Sequence, residues 1–157
     1  MDEIHKCLMP KHYSLAALSM RFTFTYHGNP MPTPRPRVAR YGGIYVASEY
    51  MEYKTILAVL MNRERAGQDC WWMWPPSTND KKARAKYLKD FRFRLSAVFY
   101  RTHNRGDIGN LVKAVEDALQ DANIIGDDSQ IDEYFEPFGK RIDKDNPRIE
   151  IILERVE

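Results

Sequence analysis

Residues 105–130 place an amphipathic helix between two acidic loops, and this stretch constrains the fold more than any other. At about 100° per residue, apolar side chains form one continuous face of the helix and polar side chains form the other. The apolar face holds Leu111, Val112, Ala114, Val115, Ala118, Leu119 and Ala122; the polar face holds Lys113, Glu116, Asp117, Gln120 and Asp121. Asn110 is the predicted N-cap. We therefore expect this helix to lie on a core.

Carboxylates stand on both sides of the helix. Asp107 precedes it, and Asp127-Asp128 follow a short connection that ends at Gly126. If the chain folds back after Gly126, these carboxylates converge near one end of the helix, where they repel each other without a counterion. Hard oxygen ligands suit Mg²⁺ or Mn²⁺. The alternative is structural, because an aspartate favours a helix N-terminus and Gly-Asp-Asp-Ser suits a turn.

The order of these residues forms a longer motif. It reads Asp-x-x-Asn-Leu-x-Lys-Ala-x-x-Asp-Ala-Leu, followed by Asp-Asp-Ser-Gln-Ile, and it resembles the RusA family of Holliday-junction resolvases. Residues 28–37, Gly-Asn-Pro-Met-Pro-Thr-Pro-Arg-Pro-Arg, resemble the proline- and arginine-rich opening of that family. The resemblance covers roughly residues 20–155, which is most of the chain.

The resemblance implies an endonuclease that depends on Mg²⁺, or on Mn²⁺, and cleaves four-way (Holliday) DNA junctions in recombination and repair. Because two cuts resolve a junction, it also implies a homodimer with two sites related by a two-fold axis. Carried over by position, the catalytic residues are Asp107, Lys113 and Asp128. The candidate metal ligands are Asp107, Asp127, Asp128 and Asp117.

The chain departs from the family motif at one ligand position. The family carries a second aspartate where this sequence has Gly109, and glycine has no side chain to bind a cation. The member is catalytically weakened, or a neighbour such as Asp117 compensates, or the residue was changed deliberately. A branched-DNA-binding protein that cuts poorly is therefore the alternative function. A general scaffold with an acidic surface patch is a third.

The net charge of +2 conceals an asymmetry along the chain. Residues 1–106 contain 18 Lys and Arg against 8 Asp and Glu, whereas residues 107–157 contain 6 against 14. A metal-dependent nuclease needs one surface that holds phosphates and another that concentrates divalent cations. Mutual attraction of the two parts within the fold is the alternative explanation.

Two basic segments are candidates for DNA contact. Prolines at every second position from Pro30 to Pro36 predict an extended, irregular segment, and a stiff loop loses little entropy when its arginines bind phosphates. Residues 79–89 are predicted to form a short exposed helix or loop along a phosphate backbone. The candidate DNA-binding residues are Arg35, Arg37, Arg40, Lys81, Lys82 and Arg105. Plain surface charges are the alternative in both segments.

The remaining patterns predict an α+β fold, a small mixed or antiparallel sheet with two main helices packed on it. Strands are predicted at 20–26 and 91–100, a hairpin turn at 41–44, and a helix at 49–65 capped by Ser48. Residues 131–140, interrupted by Pro137 and Gly139, are expected to pair as a hairpin with a final strand at 148–156.

Length and composition predict one RusA-like domain at 20–157 with an N-terminal extension at 1–19. We expect no membrane partner, since no apolar run of about 18 residues occurs. Cys7 and Cys70 do not form a disulfide framework, so we expect a cytoplasmic protein. The resemblance to the RusA family implies that a bacterium or a phage encodes it. The cluster Trp71, Trp72 and Trp74 could cover the core edge, contact a second protomer or stack on bases; packing is favoured.

Overall fold

The computed structural model describes residues 20–68, 72 and 81–156. The extension 1–19, both cysteines, Trp71 and Trp74 lie outside these residues. In chain order the elements are β1 (Arg21–His27), β2 (Arg37–Val38), β3 (Ile44–Tyr45), α1 (Ser48–Arg65), α2 (Lys81–Leu88), β4 (Arg92–Arg101), α3 (Ile108–Asp121), β5 (Ile131–Tyr134), β6 (Gly139–Ile142) and β7 (Arg148–Val156). A short 3-10 turn, Asp128–Gln130, leads into β5.

The predicted α+β fold is confirmed, and the sheet is mixed. Strand β4 pairs antiparallel with β7 on one side and parallel with β5 and β6 on the other. Strand β7 pairs antiparallel with β1 as well, so it lies between β1 and β4. The short pair β2–β3 forms a separate hairpin, as predicted.

The predicted hairpin between residues 131–140 and the last strand is wrong. That segment divides around Pro137 into two short strands, both parallel to β4, while β7 pairs elsewhere. Ile149, Ile151 and Leu153 of β7 are buried, so this strand gains more apolar burial between two neighbours than at an edge. Interior position therefore decides the pairing rather than proximity in sequence.

Helix α3 buries the predicted face. The seven apolar residues of that face are all buried in the core. There α3 packs against α1, which also contacts β1. Trp72 is buried against Phe93, with ring centroids 5.8 Å apart, so packing is confirmed for this tryptophan. Glu116 was expected on the polar face but is only 7 % exposed. The Tyr134 hydroxyl, which donates to Glu116 Oε1 at 2.5 Å, makes that burial possible.

Both predicted helix caps are wrong. Helix α3 is capped by Asp107 rather than Asn110: the Asp107 side chain accepts the Gly109 N–H at 3.0 Å, and the first turn starts upstream of Asn110. Helix α1 begins at Ser48, one residue early, because the Ala47 carbonyl already accepts the N–H groups of Tyr50 and Met51. No side-chain cap is present at Ala47.

Strand β1 forms one edge of the described sheet, and a side chain covers part of that edge. The Gln68 amide accepts the Thr23 N–H at 3.0 Å and donates to the Thr23 carbonyl at 2.7 Å. It thereby satisfies both backbone groups that a further strand would pair with at this position. Among the described residues, no helix is long and apolar enough to cross a membrane.

Candidate functional site

The C-terminal end of α3 directs the chain back toward the helix. Asn123 adopts a positive φ of 56°, and the Ile124 N–H bonds to the Leu119 carbonyl at 3.0 Å. Ile124 and Ile125 are buried and fix the turn on the core. The chain then reaches Gly126 and returns along α3. This is the fold-back on which the expected approach of the acidic loops depends.

The returning loop meets α3 at Lys113. The Lys113 ammonium donates to Asp128 Oδ2 and forms an ion pair with Asp117 Oδ1 at 3.1 Å. The Asp128 hydrogen bond is the main reason that the pKa of Lys113 is raised well above its usual value. The side chain is therefore a cation shared by two carboxylates, and the two halves of the sequence motif are joined in space.

Asp127 has a different part from its neighbour. Its carboxylate accepts the Ser129 N–H at 2.9 Å and caps the 3-10 turn, and the hydrogen bonds from Ser129 lower its pKa. Asp128 is thus the member of the pair that faces α3. Neither observation tests metal binding by these residues, which stays a prediction.

Asp107 lies at the N-terminus of α3, where it is the N-cap. Asp107 and Asp117 are ten residues apart, so about 15 Å of helix axis separates them. Since metal–oxygen distances are only about 2.1 Å, these two carboxylates cannot bind the same Mg²⁺ ion. Among residues 20–68, 72 and 81–156, no three or more His, Cys, Asp or Glu side chains form a group that could hold a metal ion.

Gly109 leaves space beside Asp107. A Cβ built at Gly109 lies 3.6 Å from Asp107 Oδ1, which is an ordinary van der Waals contact. The backbone at Gly109 does not have a positive φ, so other residues can adopt it. A carboxylate at this position would therefore start directly next to Asp107 without a clash.

Two cationic side chains bind the loop that carries Asp107. Arg101, which is 4 % exposed, donates to the carbonyls of Arg105 and Pro30, the latter at 3.2 Å. Lys140 donates to the Gly106 carbonyl at 2.7 Å. Gly106 is required here, because its φ is +95° and a Cβ would lie 2.9 Å from Arg101 Nη1. Sequence reasoning missed both cations, since they lie outside the motif.

The loop that carries Asp128 is held by an uncharged side chain. Gln130 is 3 % exposed, and its Oε1 accepts the N–H groups of Gly126 at 2.6 Å and Asp127 at 2.9 Å. Its Nε2 donates to the carbonyls of Leu88 at 2.6 Å and Phe91 at 2.8 Å. Gln130 therefore attaches the acidic loop to the end of α2 and the start of β4. The sequence motif contains this residue, but its partners are far away in sequence.

The proline-rich segment is fixed against the start of α3. The Thr33 N–H bonds to the Asn110 carbonyl at 2.9 Å, and Thr33 Oγ1 lies 2.9 Å from Tyr50 Oη. The segment then continues to Arg35 and β2. The structure thus places one basic segment beside the Asp107 loop, while Gln130 joins α2, the other basic segment, to the Asp128 loop.

Five of the six predicted DNA-binding residues lie at the surface. Arg35, Arg37, Arg40, Lys82 and Arg105 are exposed. Lys81 begins α2, but its side chain lies outside the part of the chain that the structure describes. Contact of these residues with DNA is not tested by the structure and stays a prediction.

A hydrogen-bonded pair, the buried Glu116 and the partly exposed Tyr134, lies next to the Lys113 cluster. Burial raises the pKa of Glu116, and burial together with the Glu116 hydrogen bond raises the pKa of Tyr134 to about 12. The Tyr134 hydroxyl is therefore a stable donor to Glu116. Helical periodicity placed Glu116 among polar residues, so no local pattern indicated this pair.

A carboxylate- and lysine-bearing helix flanked by basic segments is typical of proteins that act on nucleic acids. In a comparison with protein families, the model of endodeoxyribonuclease RusA matches residues 27–154. The chain therefore belongs to the RusA family, and the resemblance drawn from its motifs is confirmed. No curated protein gave a significant match.

Proposed function

We propose that this protein is a Mg²⁺-dependent endonuclease, able to use Mn²⁺, that cleaves four-way DNA junctions in recombination and repair. The observation that carries the proposal is the contact of Lys113 with Asp128, which unites the two halves of the motif inside a RusA family match. We further propose that it works in the cytoplasm of a bacterium or a phage-infected cell.

The donor chemistry fits the proposed cation. Mg²⁺ is often bound by one or two carboxylates, with substrate phosphate and water filling the other positions. Asp107 and Asp128 would supply those carboxylates, and Asp127 could add an oxygen from the same loop. When bound, the cation would polarise the scissile phosphate and activate a water for in-line attack.

The side chains around this centre have separate tasks. Lys113 stabilises the negative charge that develops on the phosphate, because its ammonium lies next to Asp128, a proposed ligand of the cation that holds this phosphate. Arg35 and Arg105 hold the DNA backbone next to the Asp107 loop, and Lys82 of α2 holds it next to the Asp128 loop. Asp117 orients Lys113 from the following turn of α3.

We also propose a homodimer, which two cuts in one junction require. Exposed apolar residues support it: Val38 and Ile44 of the hairpin are each 77 % exposed, and Val59 of α1 is 61 % exposed. Such residues often mark contact surfaces. Sedimentation should give a dimer for the unaltered chain and more monomer for Val38→Glu with Ile44→Glu. An unchanged sedimentation profile would contradict this surface.

The cleavage test uses a labelled four-way junction with Mg²⁺ or Mn²⁺. Asp107→Asn and Asp128→Asn should each lower the cleavage rate at least about 100-fold, because each removes a charged ligand. Asp121→Asn is the matched control, since Asp121 lies on α3 but pairs with Lys54 at 3.0 Å. Cleavage that survives in both test variants would overturn the proposal.

The second candidate function is a branched-DNA-binding protein that cuts weakly, and Gly109 favours it. Gly109→Asp places a carboxylate beside Asp107, and Gly109→Asn is the uncharged control of equal size. If the unaltered protein binds junctions and only Gly109→Asp cleaves them, the second function is correct. Cleavage by the unaltered protein supports the first. Failure to bind any DNA at low salt contradicts both.

A further inference from the structure

Tyr134 has an unusual orientation at the end of β5. It is 48 % exposed, yet its hydroxyl points inward and donates to the buried Glu116 at 2.5 Å. Tyrosines normally keep the ring against apolar atoms and the hydroxyl near water. Here the polar end is anchored and the ring remains accessible, so packing alone does not explain this residue.

The ring is held in a fixed position. Phe138 lies beside it, with ring centroids 5.2 Å apart and planes tilted by 42°. The hydroxyl bond fixes one end of the side chain, and Phe138 supports the other part. A prepositioned aromatic ring loses little conformational entropy when a flat ligand stacks on it.

The ring lies close to the Lys113 cluster. Tyr134 pairs in register with Leu95, which belongs to the same core cluster as the apolar face of α3. Its anchor, Glu116, follows Lys113 by three residues, which is less than one turn of α3. A nucleotide whose phosphate contacts Lys113 would therefore bring its neighbouring base to this side of the domain.

We infer that Tyr134, supported by Phe138, is a stacking surface for a nucleobase beside the scissile phosphate. This inference rests on the proposed function and adds a subsite to it. Aromatic side chains stack on every base type, so the subsite holds a base exposed at the branch point without selecting its sequence. Glu116 acts as a positioning residue for the ring.

The first test measures binding of a four-way junction in EDTA. Tyr134→Phe retains the ring but loses its anchor on Glu116 and should bind about threefold more weakly than the unaltered protein, whereas Tyr134→Leu also loses the ring and should bind about tenfold more weakly. Ile142→Ala is the matched control, because Ile142 of β6 is also apolar and is 59 % exposed; this variant should bind normally. Equal binding by Tyr134→Leu and the unaltered protein would overturn the inference.

The second test needs only the unaltered chain. Junctions with 5-bromodeoxyuridine at each position around the branch point are irradiated, and the cross-linked peptide is mapped by mass spectrometry. A cross-link at Tyr134 supports the subsite, and cross-links that all map elsewhere overturn it, even if Tyr134→Leu does not fold. If the unaltered protein neither binds nor cleaves the junction, the proposed function itself has failed.

Discussion

The loops that carry Asp107 and Asp128 are held in place by different sets of side chains. Arg101 and Lys140 bind backbone carbonyls of the first loop with positive charge, while Gln130 binds both N–H groups and carbonyls around the second with a neutral amide. The second loop receives its cation at the carboxylate, from Lys113. Asp107 instead accepts the Gly109 N–H. Positive charge thus reaches only backbone carbonyls in the first loop, whereas in the second it reaches the Asp128 carboxylate through Lys113 and the Ser129 carbonyl through Arg92, at 3.0 Å.

The largest expected effect of breaking this arrangement is at Gln130. Gln130→Leu leaves two N–H groups and two carbonyls without their buried partner, so the free energy of unfolding should fall by about 3 kcal/mol. Urea denaturation measures it. Gln120→Leu, on the outer part of α3, is the control and should change the value by less than about 0.5 kcal/mol. A loss at Gln130 no larger than the control would contradict the role of this amide.

Arg101→Met should have the next largest effect. It removes the bonds to the Pro30 and Arg105 carbonyls, and we expect about 2 kcal/mol of lost stability. The control is Arg92→Met, because Arg92 is exposed and bonds at the surface to Asp132 and to the Ser129 carbonyl, where such contacts add little stability; it should lose clearly less than Arg101→Met. If both variants unfold at the same urea concentration, the Asp107 loop does not depend on Arg101.

Lys140→Met sharpens the comparison between the loops. Lys140 is partly exposed, so removing its bond to the Gly106 carbonyl should cost about 1 kcal/mol in urea denaturation. Combined with Gln130→Leu, the two losses should add within about 0.5 kcal/mol, because the side chains share no partner. A clear departure from additivity would show that the loops are coupled.

The smallest effect concerns pH. Burial raises the pKa of Glu154, but hydrogen bonds from Arg94 and Arg21, each at 2.7 Å, outweigh it and lower the pKa overall. An acid whose pKa is lowered in the folded state stabilises the fold at pH values above its unfolded pKa of about 4.3. This stabilisation is lost as the pH falls through the pKa of the folded state. Glu154→Gln should therefore cost less than about 1 kcal/mol at pH 7 and nothing measurable at pH 2. A constant cost across this range in urea denaturation would contradict the ion pairs.

Local patterns were sufficient for much of the fold. Period 3.6 identified the buried face of α3 and period 2 identified β1, because each of these elements buries one face against the core. Period 2 also located β4, although residues 95–99 of this strand are buried on both faces. The motif located Lys113 and Asp128, whose contact the structure shows. These predictions depend on residues that are near each other in sequence.

Predictions failed where distant parts of the chain decide the outcome. The partner of β7 depends on which strand gains two neighbours, and Glu116 is buried only because Tyr134 arrives 18 residues later. Gln130 bonds to Leu88 across 42 residues, and Arg101 to Pro30 across 71. No pattern within a short window contains such contacts. The cation, the junction substrate and the dimer remain predictions.

The Gln68 amide on β1 has a consequence for how copies of this chain meet. An exposed edge strand has unpaired backbone N–H and C=O groups, on which strands of neighbouring molecules can pair and aggregate. The Gln68 side chain makes the hydrogen bonds to Thr23 that a further strand would make, so strand addition is blocked at this position. The hairpin and α1 are not covered by this contact. At Thr23 the edge of the sheet is therefore a poor template for the addition of another strand.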